Sequence, residues 1–167
     1  MQDAIRHQSW ATAMLLDACS ALSEEQLREP VPAIYGSVLD TLRHLVDSDG
    51  WYAFRLAGGT DGRAGLDETA DLAAIRAMAE ENAREWERLL ANGLDPAREI
   101  VTVTTERTIV DTFVGIRLAQ AWHHGSDHRS QLCTALTTFG IEPPAIDVWD
   151  YGEAVGRLSE EPVDAES

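Results

Sequence analysis

No lysine occurs among the 167 residues, so the 13 cationic side chains are all arginine, set against 29 aspartates and glutamates. The formal charge of −16 disfavours nucleic acid as a partner, because docking on phosphates needs clustered cations that release counterions. An anionic membrane surface is disfavoured on the same ground. The acidity describes a well-solvated surface and leaves the substrate open. Cysteine occurs only twice, at Cys19 and Cys133, with no CxxC pair. Two buried thiols in a cytoplasmic chain are the simplest account. No stretch approaches the ~20 apolar residues of a membrane span. The opening residues, Met1 to His7, lack a basic segment followed by an apolar run, so no signal peptide is expected.

What is present fits one soluble domain, with a hydrophobic fraction of 44% and a charged fraction of 25%. Over 3–22, Ala4, Ala11, Met14, Leu15, Ala18 and Leu22 recur at helical spacing. Ser23 with Gln26 reads as a capping box opening a short turn that Pro30 and Pro32 end. Ser37 is a candidate N-cap for a second long helix reaching Leu56, where Gly58 and Gly59 stop it. A third follows a loop at 58–67, with Leu72, Ile75, Ala79, Ala83, Trp86 and Leu90 in register. The run from Glu99 to Val110 is rich in Val, Thr and Ile and reads as extended. Asp111 is the expected cap of a fourth helix, from Phe113 to Phe139, which Gly140 ends. A short helix after Asp147 closes a single domain over 1–158, and 159–167 reads as a disordered acidic tail. The pattern predicts an all-α protein, an antiparallel four-helix bundle with a short extended segment before the fourth helix.

Five histidines occur, and helical phasing separates them. His124 and His128 lie four apart, hence ~40° apart around the helix and ~6 Å apart along it, so both rings can reach one metal ion. By itself HxxxH is a common chance pattern. The same stripe carries Phe113, Arg117, Gln120, Ala121, Gln131, Leu132, Ala135 and Phe139, a mixture of apolar and hydrogen-bonding side chains. Gln120 and Gln131 flank the pair and either orient imidazole ligands or are ordinary polar flanks. His123 points ~100° away, toward the surface. Cys133 projects opposite His124, which argues against a histidine–cysteine zinc site. His44 shares a stripe with Ser37, Thr41, Ser48 and Trp51, beside the apolar face of Val38, Leu42, Leu45 and Leu56. It reads either as a ligand at a pocket beside Trp51 or as a partly exposed histidine. His7, among Ala4, Ala11, Met14 and Ala18, is a satisfied core histidine or a pocket-lining residue, with a fourth-ligand role the lesser alternative.

The segment Trp122-His123-His124-Gly125-Ser126-Asp127-His128-Arg129-Ser130-Gln131 resembles the ligand helix of the DinB/YfiT-like metal-binding bundles. In that family a histidine and three intervening residues precede His-Arg-x-Gln, and His124, His128, Arg129 and Gln131 fill those places. Ser130 stands where the family often has glycine, on a side facing away from the pair. Leu42-Arg43-His44-Leu45 with Trp51 is similar to the second-helix ligand segment, and Gly140-Ile141-Glu142-Pro143-Pro144 with Asp147 and Tyr151 to the family's ending. The likeness spans roughly residues 3 to 155.

The resemblance implies an up-down-down-up bundle, a divalent ion on His44, His124 and His128, and a homodimer. Zinc comes first among the metals, with nickel or iron as alternatives. Three protein ligands leave open positions, as in catalytic sites. Relatives include mycothiol-dependent maleylpyruvate isomerases and thiol S-transferases, so the resemblance implies a small-molecule substrate and a low-molecular-weight thiol of mycothiol or bacillithiol type. His7, Trp51, Arg117, Gln120 and Gln131 are the candidate pocket residues, Arg117 as a carboxylate receptor or a structural ion pair. A metal-dependent hydrolase and a non-catalytic, stress-associated metal-binding bundle are the alternatives. A second apolar stripe on the fourth helix, Leu118, Trp122, Cys133 and Leu136, is expected to meet either a second copy of the chain or the segment around Val148, Trp149 and Tyr151.

Overall fold

The computed structural model describes residues 1–60, 62–103 and 109–159, with backbone alone for 101–103 and 109–111. The expected acidic tail falls outside the described residues from 160 onward. The chain is predominantly helical: α1 (Gln2–Cys19), α2 (Glu24–Arg28), α3 (Val38–Leu56), α4 (Leu72–Asn92), α5 (Val114–Thr138) and α6 (Val148–Ala154). A hairpin of β1 (Glu99–Val103) and β2 (Ile109–Phe113) pairs antiparallel, Glu99 opposite Phe113.

The helix starts follow their caps. Ser23 and Gln26 form the expected capping box on α2. Ser37 does the same for α3 with Asp40, its hydroxyl accepting from the Asp40 N–H at 3.2 Å while the Asp40 carboxylate accepts from the Ser37 N–H at 3.1 Å. Asp71 caps α4 through the Ala74 N–H at 2.9 Å, and Asp147 caps α6. Asp111 does not cap α5. It lies inside β2, opposite Val101, and α5 runs straight on from the strand with Phe113 at its N-cap. Its first N–H groups find backbone acceptors instead: Val114 donates to Arg98 O at 2.9 Å and Gly115 to Pro96 O at 3.0 Å. Backbone carbonyls just before β1 therefore do the work expected of a side-chain cap. At the other end Gly140, at φ +76°, donates to Thr137 O, and Ile141 donates to Leu136 O at 2.9 Å. This is a Schellman ending that favours glycine at 140.

Helix α3 packs on α4 and α5, α1 packs on the same two, and α6 lies on α1. The apolar interior falls into two clusters. One gathers Leu15, Leu16, Cys19, Leu39, Leu42, Leu45, Ile75, Leu132 and Leu136; the other gathers Ile5, Ala53, Leu56, Trp86, Leu90, Val114, Leu118 and Ala121. Along each long helix, polar side chains stand between the two. Gln8 and Thr12 do so on α1, Asp49 on α3, Asn82 on α4, and His128 and Arg129 on α5. The buried line of α1 runs through Ile5, Gln8, Thr12 and Leu15, one step round from the expected stripe, so Ala4 and Met14 sit at its edge.

The second stripe of α5 is not a free face. Leu118 and Leu136 are buried within the chain's own two clusters, and Trp122 and Cys133 are half-buried against them. Both sides of α5 are covered because it lies against α1 as well as α3. The C-terminal segment is not the cover either. Tyr151 packs edge-on to His7 and Trp10 of α1, while Val148 and Trp149 are exposed.

Losing the Ser37 box should loosen the start of α3. We expect Ser37→Ala to cost about 1 kcal/mol in urea unfolding, with an unchanged m-value. A cost near zero would contradict the assigned role of the cap.

Candidate metal centre

The turn before α3 sets the first wall of the site. An isolated bridge joins Pro30 to Ser37, Val31 donates to Gly36 O at 3.0 Å, and the Thr41 hydroxyl donates to Tyr35 O at 2.9 Å. These bonds hold Tyr35 flat on His44, ring centroids 4.4 Å apart and planes 19° apart. From α5, His124 and His128 face the same spot, with centroids 5.0 and 4.7 Å from that of His44. Tyr52 closes the other side, edge-on to His124 at 5.8 Å.

The three imidazoles offer ligand nitrogens that all lie within 4.8 Å of one another, and the group could hold a metal ion. His44 Nε2 and His124 Nε2 are 3.0 Å apart. Two nitrogens sharing one zinc at ~2.0–2.1 Å in a tetrahedral site stand about 3.3 Å apart, so the observed spacing fits. The tautomer of His128 follows from its neighbours. The Tyr35 N–H can only donate, and it donates to Gln131 Oε1 at 3.1 Å. That oxygen lies 3.0 Å from His128 Nδ1, which must therefore carry the proton and leave Nε2 with a free lone pair. Electrostatics favour neutral rings as well. Burial, then His128 and His44, push His124 down to about 4, and burial followed by His128 lowers His44.

Other expected pocket residues are engaged elsewhere. His7 Nε2 lies 2.8 Å from Ile146 O and its ring meets Trp10 and Tyr151, so it ties the segment before α6 to α1 and is remote in role from the other histidines. Trp51 is 40% exposed and makes its ring contacts with Tyr52, Arg55 and Arg117, not with His44. At eight residues rather than seven, two turns along with a fuller rotation, Tyr52 is the α3 aromatic that reaches the histidine group. Arg117 is buried with its guanidinium carbon 5.3 Å from the Trp51 ring centre, and burial, then the charge of Arg55, lowers its pKa. Gln120 is exposed and donates to the Tyr52 hydroxyl at 3.4 Å. Gln131 touches a histidine of the group, His128. His123 is exposed, and Cys133 packs against the first apolar cluster.

Behind the histidines lies the polar layer. Asp49 accepts from Gln8 Nε2 at 2.6 Å and from Trp86 Nε1 at 3.0 Å, joining α1, α3 and α4. Burial raises its carboxyl to about 6 despite those bonds. Arg129, next to His128, is pulled down to about 10 by burial, with Asp49 opposing. Tyr35 and Tyr52 went unrecognised in the sequence. The spacing 44, 48, 52 could have shown Tyr52, whereas Tyr35 lies in an irregular turn that no periodicity marks.

A mostly helical chain with three converging histidines defines a class of candidate metal-binding proteins. The chain belongs to the DinB family, whose profile matches residues 1–161. A comparison with curated proteins gives no match. Among the described residues no helix is long and apolar enough to cross a membrane.

The lowered histidine pKa values set a pH response. An exposed imidazole protonates at ~6.5, whereas folded His124 does so only at about 4. Between these limits the unfolded chain binds more protons there, so His124 makes the metal-free protein less stable as pH falls. Asp49, raised, acts in the opposite sense, so the test is a difference between proteins. The melting temperature of the parent should fall more steeply from pH 7 to pH 4.5 than that of His124→Asn. Parallel curves would contradict the desolvated site.

Proposed function

We propose that this DinB-family chain holds one divalent ion on His44, His124 and His128 and uses it in thiol chemistry. The convergence of three imidazoles from α3 and α5 is the observation that carries this reading. Zinc is the first candidate, with nickel or iron as alternatives. The order of the apolar clusters supports an up-down-down-up four-helix bundle. α1 and α5 run from the Ile5–Leu118 cluster to the Leu15–Leu136 cluster, and α3 and α4 run the other way. Cytoplasmic location and a homodimer belong to the same reading, the dimer through a surface other than Leu118 and Leu136.

A bound divalent ion with an open position would lower the pKa of a small thiol and present it as thiolate. The chain's own part is to keep three imidazoles neutral and aimed. Gln131 fixes the His128 tautomer, and Tyr35 and Tyr52 hold His44 and His124 from either side. A metal-dependent thiol S-transferase or isomerase of mycothiol or bacillithiol type fits these parts, with a small electrophile as substrate.

The purified chain should take up about one divalent ion. His124→Ala and His128→Ala should abolish tight uptake, His44→Ala should weaken it severely, and His123→Ala should leave it intact. Loss in His123→Ala with retention in His124→Ala would sink the assignment. With a panel of electrophiles, turnover should need both metal and thiol. Hydrolysis without thiol would point to a hydrolase, and unfolding on metal removal without any turnover would point to a structural ion.

A further inference from the structure

A cleft of about 620 Å³ opens beside His44, one of the three histidines, between α3 and the 66–68 segment, with His44 and Tyr35 on its wall. A second hollow of about 250 Å³ shares Asp47 with it and extends past Ser48 to Trp51 and Tyr52. Positions 40, 43, 44, 47, 48, 51 and 52 follow one another at helical spacing, so the two hollows form one groove along a single side of α3.

Beside His44 this groove carries the carboxylates of Asp40, Asp47, Asp67 and Glu68. The cations nearest to them are already engaged. Arg43 donates to Ala70 O at 2.7 and 2.9 Å and to Asp40 at 3.1 Å, and Arg63 donates to Asp47 at 2.9 Å. Four carboxylates against two guanidiniums leave two negative charges in surplus, and Asp67 and Glu68, both exposed, supply them. At the far end Arg55 and Arg117 flank Trp51, but Arg55 is turned away to the carbonyls of Gly59 and Thr60. The formal charge of −16 adds a long-range field of the same sign.

Resting on the metal reading above, we infer that the groove beside His44 selects ligands with a cationic, amine-bearing tail and disfavours those with a carboxylate tail. The ion at the histidines would take the sulfur of each ligand; the tail, passing Asp67 and Glu68, adds the discrimination that depends on these two carboxylates. A binding partner of this site is therefore a thiol or substrate that is cationic or uncharged beyond its reacting atom.

The test uses the full chain loaded with cobalt(II), whose visible absorption reports ligand exchange. Three benzenethiols substituted at the para position with aminomethyl, methyl or carboxylate groups cannot chelate through their tails. At low ionic strength the aminomethyl compound should bind about tenfold more tightly than the carboxylate, with the methyl compound between. The ratio should contract toward one in ~0.5 M salt, since exposed charges are screened there. It should contract likewise in the Asp67→Asn, Glu68→Gln double variant, whose cobalt spectrum before thiol should match the parent's. Equal or tighter binding of the carboxylate by the parent overturns the inference, as does an undiminished ratio in the double variant. A parent that takes up no cobalt is recognised before any thiol is added and overturns the metal reading and this inference together.

Discussion

The core of this protein is divided by a layer of polar side chains, and most of its particular features answer to the cost of burying that layer. A polar group removed from water without a partner is strongly destabilising, and the layer supplies partners to most of its atoms, Gln8 Oε1 and Arg129 Nη1 excepted. Asp49 is met by Gln8 and Trp86, and Asn82 donates to Val46 O at 2.7 Å. Two glycines make room for the layer. A Cβ at Gly50 would stand 2.3 Å from Asn82 Oδ1, and one at Gly125 would stand 2.8 Å from Arg129 Nη1. Helices rarely favour glycine in their interior, and here the space it leaves is filled by hydrogen-bonding groups.

The histidine group sits at the edge of this layer, and that position accounts for its chemistry. Burial removes water and lowers the affinity of His124 for a proton, while Gln131 supplies the acceptor that orients His128. Gln131 serves two donors, the Tyr35 N–H and His128 Nδ1, so one amide couples the turn before α3 to the ligand helix. Asp40 joins the Ser37 cap, the ion pair with Arg43 and the groove wall, so the start of α3 and the charge at its cleft share a residue.

Much of the fold was legible because it rests on local chemistry. Ser23, Ser37 and Asp147 announce helix starts through side chains that reach only three residues, and Gly140 announces an ending through its backbone freedom. The metal candidates were legible for a related reason: the phasing of 124 and 128 on one helix is local, and His44 came from a family pattern. What was not legible depended on distance along the chain. Asp111 looked like a cap until a strand partner ten residues earlier took its segment into a ladder. The Leu118–Leu136 stripe looked unpartnered because periodicity does not reveal that α1 covers it. His7 and Trp51 share the right helical stripes, yet α6 and the two arginines claim them.

X-ray absorption spectroscopy on the zinc-loaded protein tests the central claim most directly. Three imidazole donors at ~2.0–2.1 Å, with the multiple-scattering pattern of histidine rings and the remaining position held by a light atom, are the predicted result. A shell containing protein sulfur at ~2.3 Å, or oxygen donors without imidazole scattering, would contradict a centre built from His44, His124 and His128.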